Sequence, residues 1–121
     1  MISHTAEKGD DILEKMISMD DGARMLGELA LIPCDSPINN TGILFYETLF
    51  DENASCHVAL GMGFNDAVDG FMDMTNDECK ALGINDSSIH VDFMIGAPDM
   101  TITGYKDGKA TPIFVNGNWA F

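Results

Sequence analysis

Ser88-Ile89-His90-Val91-Asp92-Phe93-Met94-Ile95 is the best strand signal in the sequence. β-forming apolar residues alternate there with polar ones, the period of an extended chain. On a strand, His90 and Asp92 point to one face, and Val91 and Phe93 point to the other. Ile89, Val91, Phe93 and Ile95 are expected to bury their face and so hold the His90–Asp92 geometry. Toward the C-terminus, residues 101–106 and 109–115 flank Asp107-Gly108, the strongest hairpin signal in the chain. Asn116-Gly117 marks one more turn before Trp119 and Phe121. Toward the N-terminus, Thr75-x-x-Glu78 is a capping-box pattern that opens a short helix, with Gly83 as its stop. Residues 56–60 read as another strand, ended by Gly61 and Gly63.

The earlier part of the chain is more mixed. Residues 1–19 are highly charged and read as an N-terminal helix. Ile12, Leu13, Met16 and Ile17 share a face, and Asp10 and Asp11 sit at the favoured acidic end. Asp20-Asp21-Gly22 breaks this helix and opens a short helical turn. Glu28-Leu29-Ala30-Leu31-Ile32 reads as a strand stopped by Pro33. Ser36-Pro37-Ile38-Asn39-Asn40-Thr41-Gly42 is a loop by composition. Residues 43–50 form an apolar run that fits a buried strand or a short helix capped by Thr41. The whole reads as one domain over 1–121, of α+β (mixed α/β) class. It has a mixed sheet, flanking helices and a C-terminal β-hairpin.

The 121 residues carry 20 acids against 6 bases, a formal charge of −14. That balance repels phosphate backbones and anionic membrane surfaces, so nucleic acid and membrane are not expected partners. The apolar runs are too short to span a bilayer, and the polar N-terminus lacks the apolar stretch of a secretory signal. The three cysteines are odd in number and contain no CxxC, which fits reduced thiols in a cytoplasmic protein. On that reading the Asn-x-Ser/Thr triplets at Asn39, Asn53 and Asn85 carry no weight. The nine methionines are scattered and read as core filler. Neither a calcium loop, a phosphate cradle nor a Gly-x-Ser-x-Gly elbow is present.

Three positions stand out chemically. His90 and Asp92 project together from a strand, a pairing that suits a zinc-like or cobalt-like ion. The simpler account from spacing alone is a half-exposed strand with two polar residues on its wet face. His57 opens a strand five residues after Glu52, at the kind of junction where sites are built. A turn with solvated acids and a backbone-satisfied histidine explains that spacing equally simply. Glu28 begins an apolar strand, where a carboxylate is either bound to a partner or left at the strand's wet end. Cys56, facing away from His57, belongs to the core. Two histidines and several acids suffice for two metal ions sharing a bridging carboxylate, about 3.5–4 Å apart, an arrangement that activates water.

The chain from about Asp20 onward resembles the thermophilic-type metallo-aminopeptidases, the aminopeptidase T family. The likeness is carried by Gly27-Glu28-Leu29-Ala30-Leu31-Ile32-Pro33 and by Asp35-Ser36-Pro37-Ile38-Asn39-Asn40-Thr41-Gly42-Ile43-Leu44-Phe45-Tyr46. Thr48-Leu49-Phe50-Asp51-Glu52-Asn53-Ala54-Ser55-Cys56-His57 and Ile89-His90-Val91-Asp92-Phe93-Met94-Ile95-Gly96 continue it. Pro112-Ile113-Phe114-Val115-Asn116-Gly117-Asn118-Trp119-Ala120-Phe121 completes it. The resemblance implies a cytoplasmic, dimeric enzyme that removes N-terminal residues from peptides with two divalent ions, zinc, cobalt or magnesium according to member. It implies metal ligands at Glu28, Glu52, His57, His90 and Asp92; among these we take Glu28 as the ligand shared by both ions and as the catalytic carboxylate.

Two departures accompany it. Family members are longer and have a further ligand glutamate upstream of Glu28, so the chain resembles the C-terminal part of the larger metallopeptidase fold. The family also has a catalytic tyrosine seven positions after the His57 equivalent, where this chain has Phe64. Phenylalanine donates no hydrogen bond, and loss of such a donor costs roughly 3–4 kcal/mol of barrier. A non-catalytic metal-binding or dimerisation remnant is therefore the alternative. An acidic interaction module without metal is a third reading, supported only by the charge.

Overall fold

A computed structural model describes Met1 and residues 3–121. The chain forms two compact units, Met1–Leu29 with Val58–Asp92, and Ala30–His57 with Phe93–Phe121. Its elements are helices α1 (Asp10–Ile17), α2 (Pro37–Thr41), α3 (Thr48–Asp51) and α4 (Asn76–Ala81). The strands are β1 (Leu26–Ala30), β2 (His57–Gly61), β3 (His90–Met94), β4 (Ile102–Lys106), β5 (Lys109–Val115) and β6 (Asn118–Trp119). The strands make two three-stranded sheets, β1-β2-β3 and β4-β5-β6. The α+β class is as the sequence led us to expect, with the strands divided between two sheets.

In the first unit the helix is much shorter than the expected 1–19. Gly9, left-handed at φ 73°, sets its start, and Ser18 caps its end through a backbone bond to Met16 O. Residues 3–8 supply no apolar face to extend it. Ile17 is fully buried, whereas Ile12 is 58% exposed, so the apolar face is only partly used. Glu14 accepts from Ser18 Oγ at 3.0 Å and from Arg24 at 2.6 Å, tying α1 to the helical turn Asp21–Arg24. Asp20 precedes that turn and binds Ser87 Oγ at 2.9 Å, Ser88 N at 2.8 Å and Ser88 Oγ at 2.6 Å. These bonds hold the chain entering β3. The three bonds from Ser87 and Ser88, with one from the Ala23 backbone, lower the Asp20 pKa to about 2, Ser88 contributing most.

The strand β2 runs antiparallel to both neighbours. Its C-terminal end bonds the starts of the others, Gly61 N to Met25 O and Met62 N to Ile89 O. Gly61 has φ 99°, and a Cβ there would strike the Ile89 carbonyl. Only glycine lets the backbones approach so closely with that φ. The expected capping box is present in α4: Thr75 N donates to Glu78 Oε2 at 2.7 Å, and Thr75 Oγ1 accepts from Glu78 N. Cys79 is the fully buried residue of this helix.

The second unit contains two departures from expectation. Residues 36–42, a loop by composition, form α2. Ser36 is the N-cap, accepting from Asn39 N at 3.0 Å; Pro37 takes the first turn, and Gly42 ends the helix in the left-handed region. Serine before proline is a helix start when a left-handed glycine follows a turn later. The apolar run 43–50 is neither a buried strand nor a Thr41-capped helix. Residues 43–47 are irregular, and Thr48–Asp51 forms one short helix. Its Asp51 carboxylate accepts from Phe45 N and Glu47 N at 2.9 and 3.1 Å, a local turn that competes with strand formation.

The hairpin is as expected. Asp107 and Gly108 both have positive φ, and Lys106 faces Lys109 across the turn. This is the mirror-image turn that suits strand twist. Asn116 and Gly117 repeat it between β5 and β6. Pro112, which cannot donate, pairs with Thr103 where the register slips between Ile102 and Thr103. Phe114 is fully buried and meets Trp119 edge-on at 4.5 Å. Cys56 is also buried, its sulfur lying 3.3 Å from Ile32 N and 3.2 Å from Ile32 O.

Candidate metal centre

Of the side chains singled out in the sequence, Glu28, His57, His90 and Asp92 lie on strands β1, β2 and β3. Glu28 stands in the middle of β1 rather than at its head, because the strand begins two residues earlier than expected. Its side chain is 25% exposed, so it is neither solvated nor sealed. His57 opens β2 and is buried. His90 and Asp92 lie on β3, their shared face following from strand alternation. The opposite face is less covered than expected: Ile89 is buried, Val91 and Phe93 are half-buried, and Ile95 is exposed.

His90 Nε2 lies 3.1 Å from Glu28 Oε2 and 3.2 Å from Asp92 Oδ1. Asp92 Oδ1 is nonetheless a buried atom with no hydrogen-bond partner among the described residues. Closeness without a satisfied bond costs free energy unless a positive charge is present. Protonation of His90 would supply one such charge; a cation would supply another. The other ring nitrogen of His90, Nδ1, is 2.7 Å from Met62 O. In His57, Nδ1 is 3.0 Å from Ser55 O. A carbonyl accepts only, so each Nδ1 carries its proton and, in the neutral ring, Nε2 presents a lone pair. Metal-bound histidines are held in the same way.

Within the first unit, Glu28 and Asp92 each offer one ligand oxygen, the two within 4.8 Å of each other, and His90 Nε2 offers a nitrogen between them. One nitrogen and two carboxylate oxygens form a donor set for a divalent ion such as zinc, with positions left for water or a further ligand. The orphaned Asp92 oxygen fits that use. Glu52 stands outside this group, half-buried on the helical turn Glu52–Ala54. The Phe64 ring packs against His90 with centroids 5.1 Å apart. Sequence spacing does not reveal the carbonyl of Met62, which orients His90 from 28 positions away, or the Asp20 clamp on Ser87 and Ser88. Backbone acceptors and long-range hydrogen bonds leave no periodic trace.

An α+β scaffold that gathers acids and an imidazole at its sheet, with a buried carboxylate oxygen lacking a proton donor, offers a donor set of the kind that divalent cations take. The chain belongs to the family described as thermophilic metalloprotease (M29), matched over residues 1–119. Aminopeptidase AmpS of Bacillus subtilis (strain 168) is 54% identical over 117 residues, covering 96% of this chain and 28% of that protein. Aminopeptidase T of Thermus thermophilus is 44% identical over 115 residues, covering 94% of this chain and 28% of that protein. The solved structure of wild-type AmpT from Thermus thermophilus superposes with a TM-score of 0.80 at 41% identity, covering 99% of this chain and 29% of that one. The chain thus spans under a third of the length of these relatives. The family resemblance read from the sequence is borne out. No helix among the described residues is long and apolar enough to cross a membrane.

Proposed function

We propose that the chain supplies metal-holding residues of an aminopeptidase that cleaves the first peptide bond of substrates with a free N-terminus. The observation that carries this is the convergence of Glu28, His90 and Asp92, with a buried Asp92 oxygen that has no donor. Membership of a metalloprotease family and the aminopeptidase names of the relatives support it. His57 and His90 would contribute nitrogen, Asp92 and Glu52 oxygen, and Glu28 an oxygen shared between two ions. Zinc or cobalt suits that mixed set best, with magnesium the third choice. The ions would lower the pKa of a bound water and polarise the scissile carbonyl. Glu28, with a quarter of its side chain open to solvent, would also hold or move a proton beside the ions. The carbonyls at Met62 and Ser55 keep the two imidazoles from turning. A homodimer in the cytoplasm is the expected setting.

One observation favours a non-catalytic metal-binding remnant for this chain in isolation. Phe64, at the position of the family's tyrosine, places a ring without a hydroxyl beside His90. The two readings separate in one experiment. Metal content after purification without added metal, followed by release of amino acids from a dipeptide panel with zinc or cobalt, is expected to show bound metal and release. Bound metal without release from a folded sample would leave the remnant; absence of both would end the metal reading. A gain of release in Phe64→Tyr would support the missing-donor argument.

A further inference from the structure

A cleft of about 500 Å³ opens beside Glu28 in the first unit. Its walls include Glu28, Leu29, Phe64, Ala67 and Ile84, and Asp66 stands among them. That size, with apolar walls and two carboxylates, matches small-ligand sites in general. Asp66 is exposed on the turn Asn65–Ala67 and has no ion pair among the described residues. The nearby cation does not serve it: Lys80 is committed to Asp86 at 2.7 Å. Phe64 links the cleft to the metal centre, because its ring lines the one and touches His90 in the other.

We infer that this cleft receives the side chain of the substrate's N-terminal residue, and that Asp66 selects a long cationic one, lysine or arginine. The inference rests on the aminopeptidase reading. A scissile bond held at Glu28 puts the first side chain within reach of the adjoining hollow. The aliphatic stem of a lysine or arginine lies well along Phe64, Leu29 and Ile84, while its charged head stays wet and meets a carboxylate. The net charge of −14 adds attraction for such substrates at a distance. Asp66 is thereby a specificity-determining residue with no part in the bond-breaking step.

The test is binding of the dipeptides Lys-Ala, Leu-Ala and Glu-Ala to the isotope-labelled chain, followed by NMR with zinc present. Zinc affinity is measured separately by calorimetry. The wild-type chain is expected to prefer Lys-Ala to Leu-Ala, with shifts centred on residues 64–67 and Ile84. Asp66→Asn is expected to weaken Lys-Ala roughly fivefold, the worth of an accessible ion pair, and to leave Leu-Ala unchanged. Asp66→Lys should turn the preference toward Glu-Ala. Equal weakening of Lys-Ala and Leu-Ala would mean that Asp66 reads the common α-ammonium and would overturn the inference. No change in either dipeptide, or no shift in the cleft, would overturn it also. Unaltered zinc affinity in both variants keeps this outcome distinct from failure of the metal centre.

Discussion

Replacing Asp92 with asparagine separates a carboxylate placed for a cation from one placed for the fold. Its ligand oxygen and that of Glu28 are within 4.8 Å, and its side chain is 12% exposed. At an effective dielectric near 20, two such charges repel by about 3.5 kcal/mol. Without metal, Asp92→Asn removes that repulsion and brings an amide donor to a place where donors are lacking. Its melting temperature in chelator is therefore expected to equal or exceed that of wild type. With zinc at about a hundred times its dissociation constant, the wild-type chain gains about 2.7 kcal/mol, or roughly 10 °C for a domain of this size. A hundredfold loss of affinity in the variant cuts that gain to about 0.4 kcal/mol, under roughly 2 °C. Calorimetric scans of both proteins, with chelator and with zinc, read all four numbers. If the variant melts lower in chelator and still shows the full zinc increment, Asp92 is a structural carboxylate and the reasoning fails.

Three further outcomes follow from the fold. Asp20 has its pKa lowered from 3.8 to about 2 by the serine bonds, so its contribution is complete above 3.8 and disappears as pH falls through about 2. Urea midpoints across that window should fall more steeply for wild type than for Asp20→Ala; parallel curves would contradict the clamp. Phe114→Ala removes a fully buried ring and its edge contact with Trp119, at a cost of about 3–5 kcal/mol by urea unfolding. The half-exposed Phe64 should lose less than about 1 kcal/mol on the same change. Gly61→Ala forces a Cβ onto the Ile89 carbonyl at a positive φ, and should cost more than about 2 kcal/mol. Amide exchange at Met62, whose N–H bonds Ile89 O, should then accelerate before that of the β4–β5 hairpin.

The parts of the fold legible in the sequence are those whose signals are local. Asp107-Gly108 dictates its turn because both residues must take positive φ, and Thr75 and Glu78 cap each other three residues apart. Strand β3 is legible because alternation is a property of consecutive residues, and that alone places His90 beside Asp92. The failures share a different cause. Residues 43–50 look like core by composition, yet the Asp51 carboxylate captures the backbone N–H groups of Phe45 and Glu47 and bends the segment out of any ladder. The charged residues before Gly9 fit a helix surface without requiring one, so their composition does not mark the start that Gly9 sets. In the candidate metal centre, spacing offers His90 and Asp92 as a pair. It offers neither their meeting with Glu28, which depends on the strand order β1-β2-β3, nor the carbonyls that fix the rings.

Those carbonyls make the aim of the two imidazoles unusually tolerant of mutational drift. The acceptors facing Nδ1 are main-chain oxygens of Ser55 and Met62, and every amino acid provides one. A substitution at position 55 or 62 can alter size, charge or polarity and still leave each ring its anchor, provided the chain keeps its course. The proton inventory of both histidines is inherited from the path of the backbone, so it is lost only when the path itself changes.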